Sequence, residues 1–338
     1  MRLFPAVVSL VALSAPAWAA TDEAPIQLYT PQGVNIRLDE RVFHLFAALN
    51  AAGYSAEDKR RGPPLNAPVY HPVRVQVRDA LRDRRDAPIV EKLRDLFESH
   101  PQPIAVYLEA LLAEEGDRLS PAAKKLKPEL DLIDTFAEEA SLQKLFDQLA
   151  VEQRDLAKKL MKAIDEDLAA AKEMIDSDLR APVNTVVVPN PLDSHTALET
   201  IDVGEKRFIV VGPDFDEARQ NLVTELAKPY LRAAVGKAWG AAGKYRAHWD
   251  QVKISKRISG RYGDAKNYLM VALAHALAHK VDADRRGTAG AESDEAFIDE
   301  HAREGLRWAR VALRLWEQHD SSKSFEQDLP RLLAKYGP

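Results

Sequence analysis

The chain has 338 residues, no cysteine, and a formal net charge of −5 from 47 basic and 52 acidic side chains. Without cysteine there are no disulfides and no thiol nucleophile, so a fold of this size rests on packing. The mildly acidic balance, with no basic stripe, argues against nucleic acid as a partner.

The first 20 residues combine a charge at Arg2, an apolar run from Leu3 to Leu13 and the small-residue order Ala17-Trp18-Ala19. This reads as a secretory signal peptide, residues 1–19, and predicts an exported protein, periplasmic or secreted. No later stretch offers ~18 uninterrupted apolar residues, so no membrane anchor is expected after cleavage.

Residues 34–53 place Val42, Phe43, Phe46, Leu49 and Ala52 at helical spacing, with Gly53 as a stop. A proline-rich loop, 60–72, follows, and then three helices are expected over 73–83, 88–99 and 103–115. The arginines of 78–85 alternate with Asp79 and Asp83, as on a solvated helix face. From 128 to 179 the apolar residues recur at three and four, which predicts one short helix and one very long one, breaking near Ala140-Ser141. An intramolecular bundle fits this better than a coiled coil, because no strict heptad persists.

After Ala181-Pro182 come three β-rich runs, 183–189, 196–203 and 207–211, the last two joined by Gly204-Glu205-Lys206 as a hairpin. A small antiparallel sheet inserted between helices is expected, giving an α+β fold in which helices dominate. Helices are then expected over a stretch centred on 224–228, over 245–258, over the nearly all-apolar 265–281, and over 295–318 and 324–336.

Three blocks carry a resemblance. They are the opening helix ending Ala-Gly-Tyr54; the Val-Pro-Asn-Pro-Leu192 block with its hairpin, ending Phe-Ile-Val-Val-Gly-Pro213; and the helix reading Thr-Glu-Leu-Ala-Lys-Pro-Tyr-Leu231. Together they resemble exported bacterial proteins related to gluzincin-type zinc metallopeptidases, in which the third block carries His-Glu-x-x-His. The resemblance implies a zincin-like core in residues 181–338, behind a helical N-terminal region, 20–180. It puts Thr224 and Lys228 where two histidine ligands would stand, Glu225 where the general base would stand, and Val271 where the third ligand, a glutamate, would stand.

Threonine is a poor zinc ligand, lysine is protonated at neutral pH and valine has no donor, so no metal or other cofactor is expected. Lys228 instead pairs with Glu225, three residues back on the helix, which makes Glu225 a vestigial base. The expected function is a non-catalytic metallopeptidase-like protein, binding a peptide in the old cleft or keeping it as scaffold. Strand addition along 207–211 would hold such a peptide.

Two rivals stand beside this reading. His275 and His279 lie one helical turn apart, a chelating spacing, and would give an active zinc metallohydrolase if a carboxylate joined them from elsewhere. Alternatively the long 141–179 helix is the working surface of a helical protein-interaction module. His195, His248, His301 and His319 stand alone in sequence and read as surface or core. Glu114-Glu115 and Glu138-Glu139 read as solvated faces. No serine elbow or phosphate loop is present.

Overall fold

The computed structural model describes residues 27–31, 33–53, 71–175, 184–193, 197–253 and 256–338. The segment read as a signal peptide, most of the proline-rich loop, Tyr54 and His195 lie outside the described residues. Five strands form one sheet: β1 (Gln27–Tyr29), β2 (Asn35–Arg37), β3 (Thr185–Pro189), β4 (Leu198–Val203) and β5 (Lys206–Val211). Their spatial order is β1-β2-β3-β5-β4.

The sheet is mixed, which corrects the antiparallel expectation. The β4–β5 hairpin is antiparallel, with Val203 opposite Lys206, but β2 and β5 both run parallel to β3. Helices cover both faces, and strands buried on both faces tolerate parallel pairing. β3 is buried along its whole length. Gly204 closes the hairpin at φ +56°, a left-handed conformation that favours glycine, and a Cβ there would displace the Asp117 carboxylate, 2.2 Å away.

Side-chain alternation assigns the two faces. Ile36, Val187, Ile209 and Val211 point into one hydrophobic core. Val186, Val188, Phe208 and Val210 point into the other. The second core is built on α1 (Glu40–Ala51), α2 (Pro72–Ala80), α3 (Pro88–Ser99), α4 (Ile104–Leu112), α5 (Pro121–Leu126), α6 (Asp131–Glu139) and α7 (Leu142–Gln148). The 34–53 stretch is therefore strand, then helix: Asp39 accepts from the Arg41 amide and starts α1 at Glu40.

The first core is built on α8 (Ala150–Ile175), α9 (Phe215–Ala238), α10 (Gly243–Val252), α11 (Lys256–Tyr262), α12 (Ala265–Arg286), α13 (Ala291–Arg303), α14 (Ala309–Glu317) and α15 (Phe325–Lys335). The expected long helix is two pieces. Ser141 takes a left-handed conformation at φ 54°, and a second break at Leu149 leaves the Phe146 carbonyl to the Leu149 amide and the Gln153 side chain. Likewise the expected 295–318 helix is divided at Gly305, φ +96°.

The apolar stripe of α8, Leu156, Leu160, Ile164 and Leu168, is buried in the first core. It does not present the exposed surface that an interaction module would use. The cores also do not separate near residue 180: β1, β2 and α8 belong with the elements of 184–338. Arg219 on α9 locks α8 in place, its guanidinium donating to both oxygens of Asp167 at 2.8 and 2.5 Å and to the Ala163 carbonyl at 3.2 Å. Among the described residues, no helix is long and apolar enough to cross a membrane.

Candidate functional site

α9 follows β5 through a short turn, and its inner face, Leu222, Leu226, Leu231, Ala234 and Val235, packs on α12. The two helices run antiparallel. Lys266 lies against Gly236 at one end, and Arg286 donates to the Asp216 carbonyl at 3.4 Å at the other. Between these ends the register brings Lys228 beside His275, whose proton affinity the Lys228 charge lowers. By the same register Val271 falls a turn away, toward Leu231, so His275 lies nearer the Lys228 turn than Val271 does.

At that turn Thr224 is buried and its hydroxyl donates to the Gln220 carbonyl at 2.9 Å, the usual return bond of a helical threonine. Lys228 donates to Glu225, and both side chains are largely buried, at 20% and 16% exposure. Glu225 also lies within electrostatic reach of Arg207 on β5, which is itself clamped to Asp202 at 2.7 and 2.8 Å. The carboxylate therefore sits between two cations. Pro229 follows directly and has no N–H for the Glu225 carbonyl.

These residues do not fit a zinc ion. The threonine hydroxyl is committed to its own helix, the lysine is a cation and Val271 carries no donor. The strand expected to take a peptide, 207–211, is interior, paired with β3 on one side and β4 on the other, so strand addition there is excluded. Among the described residues the edge strands of the sheet are β1 and β4, and of these β4 is the one packed beside α9.

His275 and His279 share a face of α12 but turn to different partners on α13. His275 Nδ1 meets His301 Nε2 at 3.2 Å, while His279 Nε2 meets Asp294 Oδ1 at 2.8 Å. Phe297 lies between, stacked on His279 at 4.5 Å and tilted against His301 at 4.1 Å. Among the described residues no three His, Asp or Glu side chains converge as a metal ligand set. Burial pushes His275 down to about 3 and His301 also downward.

The pairing of His275 with His301, 26 residues away, has no local sequence signal. Nor does Trp308 Nε1 donating to His248 Nδ1 at 3.0 Å, or His319 bonding Asp328 at 3.2 Å. The acidic pairs Glu114-Glu115 and Glu138-Glu139 are exposed, and Arg78 and Arg82 pair with Asp79 at the surface. No family model matches the chain, and no curated protein or solved structure matches it either.

Proposed function

We propose that the chain is an exported, non-catalytic relative of zinc metallopeptidases that binds an extended peptide along the edge strand β4, beneath α9. The observation that carries this reading is the Lys228–Glu225 ion pair, set on the turn of α9 that faces α12. Where a hydrolase would need a dication and a base able to take a proton from water, this turn holds an ammonium and a carboxylate that neutralise each other. The base position survives as a structural anion, and the ligand positions Thr224, Lys228 and Val271 supply no donor set.

What remains usable is the strand edge. Among the described residues β4 pairs with β5 on one side only, so its other backbone edge offers a ladder to an incoming peptide, with alternate side chains setting preference. The test combines elemental analysis with titration of unstructured peptides into the purified protein. Peptide binding that is lost when the peptide backbone is N-methylated at alternate residues, with no peptide cleaved, supports the reading. About one zinc per chain, removed by His275→Ala or His279→Ala and accompanied by peptide hydrolysis, overturns it in favour of a metallohydrolase.

A further inference from the structure

One turn beyond Lys228 on α9, Arg232 opens a groove between the C-terminal half of α9 and the start of α12. It has two lobes, of about 240 and 290 Å³, which meet at Asp264 and Lys266. The first lobe has an apolar floor, the buried Val235 and Met270, below a rim of Arg232, Lys266 and Asn267. The second is walled by Trp239 and Trp249, with Arg246 at its mouth.

The charges here are set unlike those around them. Nearby Lys237 is paired with Glu326 and Lys253 with Asp250. Among the described residues no carboxylate pairs with Arg232, Arg246 or Lys266, although the chain carries a net charge of −5. Arg246 reaches only the Trp239 carbonyl, at 3.5 Å. The single acid in the lining, Asp264, is committed to capping α12, accepting from the Asn267 amide at 2.7 Å. Three cations facing one engaged carboxylate over an apolar floor select an anion that also has an apolar part.

We infer that the Arg232–Lys266 groove is a binding site for a small carboxylate with an aliphatic body, the acid held by Lys266 and Arg232 and the chain lying on Val235 and Met270. Asp264 decides against a phosphate: it occupies the Asn267 amide at the start of α12 and repels a dianion more than a monoanion. Each lobe lies near or below the size of ordinary ligand pockets, so the ligand is small. This site stands independently of the metallopeptidase-like reading, since none of its residues belongs to the 224–228 turn.

The test is isothermal titration of the full chain with octanoate and with N-acetyl-leucine, against octanamide, N-acetyl-leucinamide and inorganic phosphate. At least one acid is expected to bind, with its amide weaker by about tenfold or more. Arg232→Gln and Lys266→Gln should each weaken the acid about fivefold, while Arg78→Gln, at a distant exposed pair, changes nothing. Arg232 is exposed and Lys266 half-buried, with neither in an ion pair among the described residues, so a circular-dichroism melt of each variant matching the parent confirms that the fold is kept. Binding of octanoate alone identifies a lipid-derived acid, and binding of N-acetyl-leucine alone identifies an amino acid or peptide terminus. Equal binding of acid and amide, phosphate binding as well as the acids, unaffected variants, or no acid bound up to roughly 10 mM would each overturn the assignment.

Discussion

His301 Nδ1 lies 3.0 Å from the Phe297 carbonyl, and its Nε2 faces His275 Nδ1 at 3.2 Å. A ring nitrogen that bonds a carbonyl must carry the proton, so His301 Nε2 is the acceptor and His275 Nδ1 the donor. The bond is lost once His301 is protonated, because its Nε2 then carries a hydrogen and no longer accepts, whereas a proton on His275 Nε2 leaves the Nδ1 donor in place. This bond is the main polar tie between α12 and α13, beside the His279–Asp294 contact.

Acid should therefore loosen α13. Both histidines are held below the ordinary histidine value, His275 to about 3 by burial, by His301, by Lys228 and by Arg261. His301 is lowered by burial and by His279, against the upward pull of Glu300 and Glu304. The unfolded chain takes up these protons near pH 6.5 and the folded chain does not. Stability present above 6.5 is thus lost as pH falls, by up to ~1.4 kcal/mol per unit for each histidine. Urea midpoints measured from pH 7 to 5, above the carboxylate range, should fall steadily, and His275→Gln should flatten that slope. An unchanged slope in the variant would remove His275 as its source.

The Lys228–Glu225 pair should behave as a unit. Lys228→Met leaves the largely buried Glu225 with only Arg207 nearby and should cost about 1–3 kcal/mol. Glu225→Gln with Lys228→Met should cost less than the sum of the two single changes, a coupling a double-mutant cycle in urea reads directly. Strict additivity would mean the pair has no energetic role.

A larger effect is expected at Arg219, whose side chain and that of Asp167 are 9% and 6% exposed. Arg219→Met leaves Asp167 charged against the α8–α9 seam and should destabilise by about 3–5 kcal/mol. Asp167→Leu made together with it should recover most of that loss. Chemical denaturation of the single and the double variant checks both statements.

The register of α9 on α12 makes a prediction about engineered metal binding. With His275 nearer the Lys228 turn than Val271, Thr224→His with Lys228→His should take up zinc using His275 as the third ligand, and adding Val271→Glu should improve it little. Removing the Lys228 ammonium also removes a charge that repels the ion. Zinc bound only by the triple variant would show that Val271, not His275, is the third corner.

The helices with strong periodicity were legible: α3 and α15 match their expected spans to within a residue, and α12 starts at Ala265 as expected but runs past 281 to Arg286. The β4–β5 hairpin was legible from its β-branched runs and its glycine turn. β1 and β2 were not, because three residues give no alternation to read, and the partner of β2 in the sheet, β3, comes from a segment some 150 positions later. The Lys228–Glu225 contact follows from helical spacing, and the structure contains it. The His275–His301 contact and the Arg232–Lys266 groove depend on which helices cross, and local pattern does not encode that.

The parallel joint between β2 and β3 also sets an order of events for the growing chain. Asn35 waits for Val186 and Ile36 for Val187, and β3 is not itself enclosed until β5 ends at Val211. Eight of the described helices, α1 to α8, lie in the intervening chain, and α1 to α7 pack largely on one another, so they can form early. Closing the sheet then requires two distant segments to meet, a step whose chain-entropy cost is met before any of its hydrogen bonds are gained. β1 and β2 can pair with each other at once, but as a pair they wait for β3, although they precede it in the chain by some 150 residues. Until that moment their backbone edge is a surface for a chaperone to hold.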